Sequence, residues 1–179
     1  MHDDLPASPW VQRFAPLIPL GGVVLHLACG NGRHARLLAS LGYRVEAVDR
    51  NAEALVGLAN VPQIAIRIVD LESGSWPYAA ESFDGIVVTN YLFRPRLGDL
   101  VAALKPGGVL IYETFMVGNE RFGMPSNPDF LLCPNELLDR VQQRLAVVAF
   151  EQGDIENPKP ACVQRLCARM GSGVGRLPT

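Results

Sequence analysis

Lysine is nearly absent from this 179-residue chain, occurring only at Lys105 and Lys159, so basic charge rests almost wholly on arginine. The arginines are scattered, and 16 basic against 18 acidic side chains leave a net charge of −2. No basic tract therefore marks a nucleic-acid partner. The four cysteines, Cys29, Cys133, Cys162 and Cys167, form neither CxxC pairs nor a Cys/His ligand spacing, which argues against a structural metal and for a reducing compartment. No apolar run approaches the roughly 20 residues of a membrane span. The opening "MHDDLPASPW" has acidic residues where a secretory signal needs basic ones. Repeats and low-complexity tracts are also lacking. These absences lead to the expectation of a cytoplasmic chain with no membrane partner, folded as one domain over residues 1–179.

What is present is a rhythm. Val- and Ile-rich runs alternate with helical patterns, as in βαβ units that build a parallel sheet. Strands are expected over 23–28, 44–49, 64–69, 83–89 and 108–114, with helices over 33–41, 52–59 and 97–104. "LKPGG" stops the last of these helices and leads into the fifth strand. A further helix over 135–143 takes Asn135 as its N-cap. Then "RLAVVAFEQ" and "ACVQRLCAR" have no helix between them and should pair as an antiparallel hairpin. Residues 1–20 read as an N-terminal extension. Residues 115–134 are too long for a simple connection, and they follow the carboxyl end of a strand, where open α/β sheets bind ligands; they read as a lid or substrate loop.

"ACGNGRHA" places Gly30 and Gly32 at a strand-to-helix turn, where glycine lets a ligand approach the main chain. Asp49 ends the second strand, nineteen residues beyond Gly30, where a carboxylate can accept hydrogen bonds from ribose hydroxyls. Gly30, Gly32 and Ala35 also satisfy G-x-G-x-x-A, so a dinucleotide remains an alternative on these residues alone. Downstream, Asp70 ends the third strand, placed to accept from an exocyclic amine while Leu71 packs against a base.

With "HLACGNG", Asp49, Asp70-Leu71, the "FD" of Phe83-Asp84 and "LKPGG" together, the chain resembles the class I S-adenosylmethionine-dependent methyltransferases, and more loosely the small tellurite-resistance type. The resemblance implies a three-layer α/β/α sandwich with a seven-stranded, mostly parallel sheet whose last strands are antiparallel. It implies S-adenosyl-L-methionine as cofactor, held by His26, Ala28, Cys29, Gly30, Asn31, Gly32, Asp49, Arg50, Asp70, Leu71 and Asn90. His26 occupies the position where the family pattern usually has an acid near the methionine end of the cofactor. It either faces the cofactor or is a core histidine satisfied by backbone.

The acceptor is expected to be a small molecule. Tyr91 and Glu113 are the candidate catalytic groups, although Tyr91 reads equally as a packing residue and Glu113 as a solvated strand end. Arg94, Arg96 and Arg121 border the expected acceptor region, and guanidinium groups bind oxyanions in pairs. They suggest an anionic acceptor contacted by Tyr91, Arg94, Arg121 and Phe122, against the alternative of plain surface arginines. Gly118 and Gly123 are possible hinges of the loop, with Phe122 and Phe130 on its underside. Two rival functions stand beside methyl transfer. One is a cofactor-binding protein with reduced or no catalysis; the other is a nicotinamide-dependent reductase, for which the usual Tyr-x-x-x-Lys pair is lacking.

Overall fold

The computed structural model describes residues 5–173 and 175–179. His2 lies outside them. Seven strands form one sheet: β1 (Val23–Leu27), β2 (Arg44–Asp49), β3 (Ile64–Ile68), β4 (Phe83–Thr89), β5 (Leu104–Phe115), β6 (Leu145–Ile155) and β7 (Ala161–Met170). Their spatial order is β3-β2-β1-β4-β5-β7-β6. The first five pair in parallel, and β7 enters antiparallel between β5 and β6. The seven-stranded sheet with an antiparallel ending agrees with the reading of the sequence.

Helices cover both faces, because the central strands are apolar on both. On one face Val24, Val45, Val87 and Ile111 pack under α1 (Pro9–Phe14), α2 (Arg33–Ser40) and α3 (Ala52–Leu55). On the other, Leu25, Leu27, Val88 and Tyr112 pack under α4 (Leu97–Ala102) and α5 (Glu136–Val141).

Three local expectations need correction. "LKPGG" is not a separate turn but the irregular start of β5: Leu104 pairs with Phe83, and the register then shifts before Gly85 meets Val109. Gly108 tolerates no side chain there, since a Cβ would lie 2.9 Å from the Lys105 carbonyl and 3.1 Å from that of Phe83. Asn135 precedes α5 in left-handed backbone (φ 62°) and its side chain does not cap the helix. It instead accepts a hydrogen bond from the Gln152 amide, tying α5 to β6. Finally, residues 1–20 contain α1, a six-residue helix too short for a periodic signal. Ser8 caps it by accepting from the Trp10 N–H, and the Trp10 indole donates to the Leu166 carbonyl on β7. Among the described residues no helix is long and apolar enough to cross a membrane.

Candidate functional site

The chain leaves β1 toward β2 on one side, and β4 lies on the other, so a crevice opens at the carboxyl ends of these strands. Both strand ends turn through left-handed backbone, with φ 48° at Ala28 and 54° at Asn90. Non-glycine residues pay a strain energy to sit there, and such strain gathers at ligand sites. Ala28 and Asn90 line a cavity of about 380 Å³, which is within the usual size of a small-ligand site.

Asp49 is the centre of its polar wall. One carboxylate oxygen accepts from the Gly30 N–H at 2.8 Å and the other from the Asn51 N–H at 2.9 Å. The acid and the glycine turn are thus a single unit, already oriented, with lone pairs left for hydroxyl donors. The two glycines differ in purpose. A Cβ at Gly30 would meet nothing within 4 Å, so it is the left-handed backbone (φ 53°) that favours glycine there; a Cβ at Gly32 would fall 2.4 Å from the Leu58 side chain, so this one lets α2 pack. Asp70 accepts from the Glu72 N–H at 3.0 Å. That bond and one from the Ser73 hydroxyl hold its carboxyl below the usual range, keeping it an acceptor.

Of the residues expected from sequence, Ala28, Asp49, Arg50, Asp70, Leu71, Asn90 and Tyr91 line this cavity. Burial first, and then the neighbouring Glu72 carboxylate that accepts its hydrogen bond, push the Tyr91 phenol well up. Tyr91 is therefore a donor at neutral pH and not a base. Its backbone is fixed by the Tyr112 hydroxyl, which donates to the Tyr91 carbonyl at 2.7 Å.

Several expected residues are placed elsewhere. Gly30, Asn31 and Gly32 shape the turn without lining the cavity, and the Cys29 side chain is buried in the core, its thiol pushed up to about 12 by burial and then by Asp49. Glu113 is buried on the β5 face that carries Ile111, where Arg165 of β7 reaches it at 2.6 Å; Thr114, on the opposite face, lines the cavity instead. Arg94 does not reach the cavity. It binds both oxygens of Glu136 and donates to the carbonyls of Asp129 and Leu131. Burial acts the other way, yet these bonds and the Cys133 N–H hold the Glu136 carboxyl down at about 2. Arg121 pairs with Asp154 at 2.6 Å and lies over the exposed Phe122 ring. Arg96 donates to the Leu71 and Gly74 carbonyls and pairs with Asp99. None of the three guanidinium groups lines the cavity, and each is engaged by a carboxylate or by loop carbonyls.

His26 is a further correction. It is completely buried, does not line the cavity, and neither ring nitrogen has a hydrogen-bond partner among the described residues. The core alternative was right about burial and wrong about backbone bonds. Its ring meets His34 edge-on at 5.4 Å; His34 in turn accepts from the Ser8 N–H and contacts the Thr89 hydroxyl. Burial, reinforced by neighbouring charge, pushes His26 well below its ordinary value and His34 down to about 3. The unfolded chain takes up a proton on each ring near pH 6.5 and the folded chain does not. Stability is thus complete above pH 6.5 and falls as the pH drops toward 3, by up to about 1.4 kcal/mol per pH unit for each ring. Urea unfolding between pH 7 and 5 checks this slope. His26→Leu should reduce it and raise stability at pH 7 by about 1–2 kcal/mol, since an apolar side chain removes two unsatisfied polar atoms. A destabilised variant would mean that His26 has a partner.

Sequence reasoning missed Glu72, Leu92, Thr114, Phe115 and Pro125, which also line the cavity. Phe130, assigned to the underside of the loop, does line it. The loop is folded onto the sheet: the Val117 N–H donates to the Leu132 carbonyl, and buried Asn119 bonds the Pro125 carbonyl and the Cys162 N–H.

Residues 24–108 match the methyltransferase-domain family. Among curated relatives, the tRNA U34 carboxymethyltransferase of Hahella chejuensis is 30% identical over 145 residues, covering 75% of this chain and 42% of that protein. The chain thus spans less than half the length of this relative. Among solved structures, TehB of Haemophilus influenzae superposes with a TM-score of 0.71 at 21% identity, over 90% of this chain and 61% of that one. The Burkholderia thailandensis 1,6-didemethyltoxoflavin-N1-methyltransferase, solved with its acceptor and S-adenosylhomocysteine, gives a TM-score of 0.66 at 17% identity, over 91% and 76%. These structures share the fold.

Proposed function

We propose, for a chain that belongs to the class I S-adenosylmethionine-dependent methyltransferases, that it transfers a methyl group from S-adenosyl-L-methionine to a small-molecule acceptor. The observation that carries the reading is the pair of carboxylates, Asp49 at the end of β2 and Asp70 just past the end of the adjacent parallel β3, lining one cavity beside the Gly30 turn. Asp49 takes the ribose hydroxyls. Asp70 accepts from the adenine amine, with buried Leu71 against the base.

The bound cofactor supplies an activated methyl on a sulfonium, which leaves by displacement in line with the S–CH3 bond. The protein's task is then chiefly to hold the acceptor atom at near-attack distance. Ala28 and Asn90, at the ends of the two central strands, form the floor where the reacting groups meet. Tyr91 orients the acceptor as a hydrogen-bond donor, with the Glu72 carboxylate beside its hydroxyl. The folded loop over residues 116–134 shields the site from water.

The reading is tested by incubating the protein with methyl-labelled S-adenosylmethionine and a whole-cell lysate, then separating low-mass, RNA and protein fractions. Label should appear in a low-mass product. Label confined to RNA or protein fractions would contradict the small acceptor, and tight S-adenosylhomocysteine binding without any transfer would favour a non-catalytic binding protein.

A further inference from the structure

We infer, on the basis of the methyl-transfer reading above, that the acceptor is an uncharged, largely apolar small molecule, seated against Phe115, Pro125 and Phe130, and that the Glu72 carboxylate excludes anions.

The charge balance of the cavity comes first. Its lining has three carboxylates, Asp49, Asp70 and Glu72, against one cation, Arg50. The arginines that sequence placed near an acceptor do not line it and are paired elsewhere: Arg94 with Glu136, Arg121 with Asp154 and Arg96 with Asp99 and two carbonyls. With Asp49 and Asp70 engaged by the cofactor, Glu72 is the acid left to meet the acceptor. Its exposed carboxylate lies beside the Tyr91 hydroxyl and adds negative charge to this part of the lining. A carboxylate or phosphate brought there would meet an excess of like charge that the single Arg50 guanidinium does not balance, whereas a neutral O–H or N–H would find an acceptor.

The part of the wall given by β5 and the loop is largely apolar. Phe115 ends β5, and Pro125 and Phe130 come from the loop. Phe130 is 50% exposed, yet it is held in place from both sides. The Asn127 side chain accepts from the Asp129 N–H before it, and the Arg94 guanidinium binds the Asp129 and Leu131 carbonyls around it. An aromatic ring fixed at a cavity edge while half in water gains by being covered. Size points the same way, because about 380 Å³ must hold the cofactor as well and lies near the lower limit of ligand sites.

The test is a methyl-transfer panel of small aromatic alcohols, phenols and amines in matched pairs, each with an amide in one member and a carboxylate in the other. Binding of S-adenosylhomocysteine is measured in parallel by calorimetry. The amide members should be methylated with a kcat/KM at least about tenfold above their carboxylate partners. Glu72→Gln should narrow that ratio. Phe130→Ala should raise the acceptor KM while the S-adenosylhomocysteine Kd stays within about twofold. Preference for the carboxylates, or no methylated member while S-adenosylhomocysteine still binds, overturns the inference alone; absence of S-adenosylhomocysteine binding removes the methyl-transfer reading with it.

Discussion

Replacing Asp49 with alanine is expected to weaken S-adenosylhomocysteine binding by at least about 100-fold. Two charge-assisted hydrogen bonds to ribose hydroxyls are each worth roughly 1.5–3 kcal/mol, and every 1.4 kcal/mol is a factor of ten. A second loss adds to the first. The Gly30 and Asn51 N–H groups that Asp49 holds at 2.8 and 2.9 Å would lose their acceptor, so the turn beneath the ligand would loosen. Asp49→Asn separates the two effects. It keeps the shape but turns an amine toward one of those N–H groups, so its affinity should lie between wild type and alanine. Calorimetry on all three proteins, with circular dichroism to verify folding, gives the measurement. An Asp49→Ala protein that binds within threefold of wild type would place the ribose elsewhere.

The second large effect concerns stability. Arg165→Leu should cost about 3–5 kcal/mol, because it leaves the Glu113 carboxylate buried without its counter-charge. Both side chains are nearly covered, at 15% and 11% exposure, and approach to 2.6 Å. The contact is an ion pair and not an aligned hydrogen bond, since among the described residues Glu113 Oε2 and Arg165 Nε have no hydrogen-bond partner of proper geometry. Such a pair is replaceable as a unit. The double variant Glu113→Leu/Arg165→Leu should regain most of the loss, and the double-mutant cycle in urea gives the coupling directly. The same variants decide the role of Glu113. If Arg165→Leu is neutral while Glu113→Gln abolishes turnover at unchanged S-adenosylhomocysteine affinity, Glu113 is catalytic after all.

Asp49, Asp70 and the glycine turn could be found in the sequence because their places follow from topology. Parallel strands joined by helices put every strand's carboxyl end on one edge, so a residue that ends a strand is already at the site. His26 and Glu113 could not be oriented that way, because their positions depend on which face of a strand a side chain takes. Along "VVLHLA" and "LIYETF" both faces are apolar, and the period-2 signal that would fix the face is erased when helices cover both. The structure settles the phase through the partners, His34 beside His26 and Arg165 beside Glu113. The partners of Arg94 and Arg121 were hidden for another reason: nothing in the sequence revealed that Arg94, just ahead of α4, would meet Glu136 of α5, forty-two positions away. Phe130 was found because an aromatic in the long loop has few ways to be useful other than facing the sheet; Phe122, chosen on the same ground, is exposed beside Arg121.

The central claim is that the crevice between β1, β2 and β4 holds S-adenosylmethionine. One calorimetric comparison of the wild-type protein with S-adenosylhomocysteine and with NADH tests it most directly. The account predicts one saturable site for S-adenosylhomocysteine and no heat from NADH beyond dilution. Saturable NADH binding with none for S-adenosylhomocysteine would contradict it.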